Sequence, residues 1–145
     1  MVSPSFKSTP LIGKALLEKG LITQNQLDHL LSTQPTSKQR IGEAAISSGF
    51  ITDFDLAKFL AIFYDLPYID LTGDEELDPT ITELVPEEMA RRYQVLAIQN
   101  ENSWLTLVMA DPSDVRAIDA VRLETRCHVR KAVSSRNAIL KAINR

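Results

Sequence analysis

Cysteine and histidine are scarce in this sequence, and each scarcity argues against a class of function. The one cysteine, Cys127, allows no internal disulfide and no cysteine-rich zinc site, and it favours a reducing compartment. The two histidines, His29 and His128, provide little material for nucleophilic or acid–base catalysis. No cluster of His, Cys, Asp and Glu has the spacing of a metal site. We therefore expect no catalytic residue and no metal site in this chain.

Long hydrophobic runs are also missing. No apolar run approaches the roughly 18–20 residues that cross a bilayer, and residues 1–10 lack the apolar segment of a signal peptide. We expect a cytoplasmic domain that does not insert into the membrane directly. The net charge of −3 argues against nucleic-acid binding, because contacts with phosphates need a basic face.

The charges are unevenly distributed in the second half of the chain. Residues 74–88 contain seven acidic side chains and no Lys or Arg, whereas residues 115–145 contain eight basic side chains and two acidic ones. Two interpretations remain open. The pattern is typical of a solvated acidic linker beside helices with basic C-termini, and it also suits a docking face for an acidic partner or for another domain of the same protein.

A repeat occupies the first half, where residues 11–31 recur 29 residues later as residues 40–60. Coincidence at so many spaced positions is unexpected, so we interpret the repeat as a duplicated supersecondary unit. The matched pairs are Gly13 with Gly42, Gly20 with Gly49, Ile22 with Ile51, Thr23 with Thr52, Leu27 with Leu56, and Leu31 with Leu60.

Each copy predicts two helices joined by a tight turn. Gly20 and Gly49 suit the left-handed position that ends a helix, because glycine has no Cβ. Thr23 and Thr52 suit the N-cap of the helix that follows. Helical spacing predicts a buried stripe in each second helix, formed by Leu27, Leu30 and Leu31 in the first copy and by Leu56, Phe59, Leu60 and Phe63 in the second.

The second half predicts the order α-α-β-β-α-β-α. We expect strands at 95–98, 104–110 and 128–133, with a turn at 100–102. Asp111-Pro112-Ser113-Asp114 should end the second strand and cap a helix, and Ser134 should cap the last helix. We expect the inner face of the helix after Asp114 to consist of Val115, Ile118, Val121 and Leu123.

These elements predict an α+β fold with a four-helix N-terminal lobe of two repeated helical hairpins and a small α+β lobe with a three-stranded sheet. The predicted organisation is a flexible segment at 1–9, the helical lobe at 10–64, a linker at 65–78 and the α+β lobe at 79–145.

The repeat resembles a motif found, often in tandem, at the N-terminus of type II secretion and type IV pilus ATPases. That motif opens with Arg-Leu-Gly, continues through spaced Leu and Gly, and ends with Gln. The first copy reads Leu11-Ile12-Gly13, Leu16, Gly20, Leu27, Leu31, Gln34, and the second reads Arg40-Ile41-Gly42, Ala45, Gly49, Leu56, Leu60, Phe63. Later segments match as well, namely Leu66-Pro67-Tyr68-Ile69-Asp70-Leu71, Leu84-Val85-Pro86 and Met109-Ala110-Asp111-Pro112.

The resemblance is to the N-terminal domain of the type II secretion assembly ATPase. It implies a non-catalytic docking or regulatory domain that binds the cytoplasmic domain of the bitopic inner-membrane L protein. The domain would be peripherally associated with the inner membrane through that partner, and would contact its own ATPase core. We expect no cofactor in this chain, and ATP with magnesium in the core. Our candidates for the partner-binding patch are Phe6, Leu11 and Leu17.

The resemblance also implies an alternative, because the tandem motif binds cyclic di-GMP in some relatives. The residues at the corresponding motif positions are Gln34, Arg40, Gly13 and Gly42. Two of the four polar motif positions are lost here, since Leu11 replaces the first Arg and Phe63 replaces the second Gln. We therefore rank cyclic di-GMP sensing second.

Overall fold

The computed structural model describes residues 9–33, 41–71 and 77–144, without the side chains of residues 9–11. Eight helices and three strands lie in these ranges, which confirms the predicted α+β class. The elements are α1 (Thr9–Glu18), α2 (Gln24–Thr33), α3 (Ile41–Ser47), α4 (Asp53–Phe63), α5 (Pro79–Thr82), α6 (Glu87–Tyr93), β1 (Val95–Glu101), β2 (Trp104–Met109), α7 (Val115–Thr125), β3 (His128–Val133) and α8 (Arg136–Ile143).

The chain divides into two compact units between Leu56 and Ala57, a point that lies within α4. In the first unit, helices α1, α2 and α3 pack against one another, so the two copies of the repeat are in contact. Apolar side chains that are almost completely buried form its core: Leu16, Leu27, Leu30, Ile41 and Ala45. The repeat therefore folds as two matching helix pairs, as predicted.

The glycine turns of the two copies have the same backbone geometry. Gly20 has a φ of +74° and Gly49 a φ of +78°, both in the left-handed region. The N–H of Leu21 donates to the carbonyl of Leu16, and the N–H of Gly20 donates to the carbonyl of Leu17, each at 3.0 Å. The second copy repeats both bonds, from Phe50 to Ala45 and from Gly49 to Ile46. This pair of bonds is the Schellman motif, so the predicted turns are confirmed.

The predicted N-caps are confirmed in both copies. The Thr23 hydroxyl accepts a hydrogen bond from the N–H of Gln26 at 3.1 Å, and the Thr52 hydroxyl accepts one from the N–H of Asp55 at 3.0 Å. In the first copy the N–H of Thr23 also donates to the side chain of Gln26 at 2.9 Å, which completes a capping box.

One prediction about the stripe of the first copy is wrong. Leu31 is 40% exposed, whereas its counterpart Leu60 is 5% exposed. Leu27 and Leu30 point into the core of the first unit, and Leu31 lies about 100° further around α2, at the edge of the buried stripe. Helical spacing alone could not decide whether a neighbour covers that edge.

The second unit is built on a three-stranded sheet in the order β1-β2-β3. Strands β1 and β2 form an antiparallel hairpin, and β3 pairs with β2 in parallel after the crossover through α7. The predicted turn at 100–102 is wrong by about two residues, because β1 continues to Glu101. Asn102 and Ser103 make the turn instead, with φ values of 54° and 66°. Two consecutive positive φ values are typical of the tight hairpin turn that fits twisted strands.

Each face of the sheet has its own core. On one face, Leu105, Leu107 and Met109 pack with Ala117 and Val121 of α7 and with side chains from α5 and α6. On the other face, Val108 and Ala132 pack with residues of α8 and with Leu71. The alternation follows from the period of two residues in a strand.

The predicted inner face of α7 needs correction. Val115 and Leu123 are exposed, and the buried residues of α7 are Ala117 and Val121. Residues two positions apart on a helix lie about 200° apart, so Val115 and Leu123 face away from the core. Asp114 caps α7 as predicted.

The cap of the last helix lies one residue later than predicted. Ser135 accepts a hydrogen bond from the N–H of Ala138 and caps α8. Ser134 instead continues the sheet hydrogen bonds, because its N–H donates to the carbonyl of Met109 at 3.3 Å.

Residues 67–69 pair with the sheet, which agrees with the extended conformation predicted for the segment around Pro67. The N–H of Val133 donates to the carbonyl of Pro67 at 2.9 Å, and the N–H of Ile69 donates to the carbonyl of Val133 at 2.8 Å. Tyr68 thereby forms a parallel bridge with Val133 of the second unit. The predicted domain boundaries stay a prediction. Across the described ranges, each helix is too short or too polar to cross a bilayer.

Candidate functional site

The structure describes only some of the predicted site residues of the first half. Phe6, Gln34 and Arg40 lie outside the described residues, and only the backbone of Leu11 is described, within α1. Gly13, Gly42 and Leu17 are described. Leu17 is half-buried on α1, and its carbonyl accepts the hydrogen bond from Gly20 that closes the turn. Its partner-binding role stays a prediction.

Gly13 and Gly42 are buried where two helices approach closely. A Cβ on Gly13 would lie 2.8 Å from Cδ1 of Leu27 and 2.9 Å from Cδ1 of Ile41. A Cβ on Gly42 would lie 3.0 Å from both Cδ atoms of Leu56. Leu27 and Leu56 are equivalent positions of the repeat, so each glycine accommodates the matching leucine of its own copy. Close packing explains both glycines, and their contact with a nucleotide stays a prediction.

The final motif position of the second copy holds an aromatic cluster. Phe63 stacks on Phe59 with ring centroids 5.5 Å apart, and meets Tyr64 edge-on at 5.0 Å. A phenyl ring has neither the donor nor the acceptor that the Gln of the motif would supply. This position therefore contributes packing instead of a hydrogen bond to a ligand.

Two exposed apolar side chains of the first unit, Leu31 and Phe54, were not predicted as site residues. Phe54 lies two residues before the buried Leu56, so helical geometry places it on the opposite side of α4. That spacing was a usable signal for Phe54. Leu31 gave no such signal, since its spacing is that of a buried residue. A docking surface needs such exposed apolar groups side by side, since single ones are common on protein surfaces.

The three groups considered for chemistry are His29 on α2, Cys127 after α7 and His128 at the start of β3. His29 is exposed and meets Phe50 edge-on at 5.9 Å, while His128 lies beside Trp104 at the start of β3. Cys127 is half-buried, with its Sγ 3.4 Å from the carbonyl oxygen of Thr125. No cluster of His, Cys, Asp or Glu in the described ranges could hold a metal ion.

Comparison with known proteins gives the family. The sequence model of one protein family, the MshEN domain, matches residues 64–145 of this chain. The chain is 32% identical to the type IV pilus assembly ATPase PilB of Myxococcus xanthus (strain DK1622) over 134 residues, which are 92% of this chain and 24% of the relative. The chain thus spans about a quarter of the length of that relative.

Solved structures share the fold. A structure of MshE with cdg superposes with a TM-score of 0.77 at 29% identity, covering 92% of this chain and 96% of that one. The N-terminal domain of XpsE superposes with a TM-score of 0.78 at 25% identity, covering 99% and 97%. These matches confirm the predicted resemblance to the N-terminal domains of assembly ATPases. The chain belongs to the MshEN domain family.

Proposed function

We propose that this chain is a non-catalytic docking domain of a type II secretion ATPase and binds the cytoplasmic domain of the inner-membrane L protein. The observation that carries the proposal is the pair of exposed apolar side chains, Leu31 and Phe54, on a helical scaffold whose turns are fixed by hydrogen bonds. The match to the N-terminal domain of XpsE over almost the whole chain supports it.

The mechanism of such a domain is positional. Burial of exposed apolar surface drives association, at about 25 cal/mol for each Å² removed from water. A scaffold with capped helices loses little conformational entropy when it binds. Docking would hold the motor at the membrane and raise its effective concentration at the secretion machinery. ATP hydrolysis with magnesium would take place in the ATPase core of the parent protein.

Titration calorimetry with the purified L-protein cytoplasmic domain tests the proposal. We expect the Leu31→Ser, Phe54→Ser double variant to bind at least about tenfold more weakly, because it removes apolar contact area at the interface. Val115→Ser is the matched control, since it removes an exposed apolar side chain from the second unit. Point variants are preferable to deletion of residues 1–20, which would remove the fully buried Leu16.

Two results would contradict the proposal. Equal affinity of the double variant and the unchanged protein, with circular dichroism showing both folded, would move the docking site away from Leu31 and Phe54. No binding of the unchanged protein would reject the L protein as the partner.

A second candidate function is sensing of cyclic di-GMP. It is favoured by the structure of MshE with cdg, which this chain matches over 92% of its length. The losses at Leu11 and Phe63 argue against tight binding, because each missing charge-assisted hydrogen bond costs about 1.5–3 kcal/mol. Two such losses weaken binding by about a hundredfold or more.

The two polar side chains of the motif that are missing here can be restored by mutation. We expect calorimetry to show no low-micromolar binding of cyclic di-GMP to the unchanged chain, and a measurable gain for the Leu11→Arg, Phe63→Gln double variant. Tight binding by the unchanged chain that Arg40→Ala abolishes would instead make the nucleotide the primary ligand.

A further inference from the structure

The outer edge of the sheet, along β3, already pairs with an extended segment at one end. The N–H of Val133 donates to the carbonyl of Pro67, and the carbonyl of Val133 accepts from the N–H of Ile69. The pairing is parallel, as the bridge between Tyr68 and Val133 shows. Residues 67–69 thus serve as a short fourth strand beside the C-terminal end of β3.

The regular pairing of β2 with β3 fixes the direction of the other backbone groups of β3. The N–H of His128 donates to the carbonyl of Ser103 at 2.8 Å, so the backbone groups of the even-numbered residues point to β2. The pairing runs from His128 to Val133 without a bulge. Because the backbone groups of successive strand residues point to opposite sides, those of Val129 and Lys131 point to the outer edge, as those of Val133 do.

Val129 and Lys131 therefore present four backbone groups to the outer edge of the sheet. In the ranges that the structure describes, the N–H and C=O groups of these two residues have no hydrogen-bond partner. A row of unpaired N–H and C=O groups on an edge strand is a template for another extended chain. Residues 67–69 already use the same edge in this way, further along β3. We call residues 128–131 the free half of the β3 edge.

The free half of the β3 edge is basic. Arg130 is exposed, and its guanidinium carbon lies 5.6 Å from the centre of the Trp104 ring. Lys131 is half-buried, and its Nζ donates to the carbonyl of Pro112 at 3.3 Å. Among the residues that the structure describes, no carboxylate forms an ion pair with Arg130 or Lys131. This edge therefore favours a partner that carries negative charge.

Charge also decides between a second copy of this chain and a different partner. Two copies of β3 paired edge to edge would bring Arg130 and Lys131 of one copy beside the same residues of the other. Like charges on neighbouring strands are destabilising, so the basic side chains oppose such self-association. Val129 packs partly against the core on the opposite side of the strand from Arg130. The best fit is thus a strand in which acidic and apolar side chains alternate.

We propose that the free half of the β3 edge binds an extended acidic segment of a partner protein as an additional strand. The segment forms hydrogen bonds with the backbone of Val129 and Lys131. It places acidic side chains beside Arg130 and apolar ones beside Val129. In strand addition of this kind the main chain provides affinity and the alternate side chains provide specificity. The second unit forms this surface by itself, and the proposal is independent of the L-protein proposal.

Amide hydrogen exchange, measured by NMR on the full chain, tests the proposal. In the free chain we expect the N–H groups of Val129 and Lys131 to exchange faster than the hydrogen-bonded N–H of Val133. The probe is a synthetic peptide of alternating Glu and Val. At about 90% occupancy it should slow exchange at both positions about tenfold, because exchange then occurs from the free fraction. Added salt should weaken the effect, since Arg130 is exposed.

Two peptides and two double variants are the controls. A Lys-Val peptide reverses the charge, and a Glu-Pro peptide keeps the charge but lacks half of the N–H groups and disfavours a strand. The Arg130→Gln, Lys131→Gln variant should bind the Glu-Val peptide about tenfold more weakly, because it loses two charge pairs. The Arg116→Gln, Lys141→Gln variant removes the same charge from α7 and α8, and should bind as the unchanged chain does. Thermal unfolding establishes that each variant is folded.

Several results would overturn the proposal. Slow exchange of both N–H groups in the dilute free chain would show that another part of the chain covers the edge. An equal effect of the Lys-Val or Glu-Pro peptide would exclude charge or strand pairing as the basis of binding. No effect of the Glu-Val peptide, or equal weakening by both double variants, would also count against it. Protection that rises with protein concentration in the absence of peptide would make a second copy the occupant.

Discussion

Two copies of one helical repeat can be compared position by position in this protein. Gly20 and Gly49 end helices α1 and α3 with the same pair of hydrogen bonds. Leu31 and Leu60 also occupy equivalent positions, yet one is 40% exposed and the other 5%. The hydrogen bonds join residues within five positions of each other, so the local sequence determines them. The exposed fraction of a side chain depends on what packs against its helix. Two copies of the same sequence can therefore differ in exposure.

The largest expected loss of stability is at Leu60, and it distinguishes Leu60 from Leu31. Leu60→Ala should lower the free energy of unfolding by about 2–5 kcal/mol, because it leaves a cavity at a buried position. Leu31→Ala should lower it by less than about 1 kcal/mol, since the side chain is already partly in water and alanine favours the helix. Urea denaturation monitored by circular dichroism measures both. Equal losses would show that the two copies are packed alike.

Substitution of the two turn glycines should lower the stability by equal amounts. Gly20→Ala and Gly49→Ala should each cost about 1–2 kcal/mol, because both positions require a left-handed backbone that alanine disfavours. Apart from the chain neighbours, no atom of the described residues lies within 4 Å of the added Cβ at either position, so packing should not separate the two variants. The same denaturation experiment measures the pair. A difference above about 0.5 kcal/mol, the usual error of additivity between independent sites, would contradict the common geometry.

Loss of the N-caps should have a smaller effect than substitution of the turn glycines. Thr23→Ala and Thr52→Ala should each cost about 1 kcal/mol, because each loses the hydroxyl that accepts an N–H bond. Thr23→Ser and Thr52→Ser are the controls, since serine keeps the hydroxyl and should stay close to the unchanged protein. Melting temperatures would rank the four variants. Loss of stability in the serine variants as well would assign the effect to the missing methyl group.

Local signals made most of the helix and strand ends predictable from the sequence. Turn glycines and N-caps form hydrogen bonds with residues within about one helical turn, so their roles follow from residue type and spacing. These residues are Gly20, Gly49, Thr23, Thr52 and Asp114. The prediction failed where two adjacent residues were equally suitable. Ser134 and Ser135 can both cap a helix, and the hydrogen bond from Ser134 to Met109 leaves the cap to Ser135.

The surface of the second unit was only partly predictable from the sequence. The excess of basic residues after position 115 was visible in the sequence, and a docking face was one of its two interpretations. The grouping of Trp104 with His128 was not, because it depends on the parallel pairing of β2 and β3 across α7. The exposure of Leu123 depends in the same way on the side of α7 that packs against the sheet.

The pairing of β2 with β3 also has a consequence for the order of folding. Trp104 must meet His128 across the whole of α7, whereas the turns at Gly20 and Gly49 close within a few residues. Contacts distant in sequence form more slowly, because a longer loop must be ordered before they contribute. During synthesis on the ribosome the helical hairpins emerge first and need no later segment to close their turns. We therefore expect them to form before the sheet is complete.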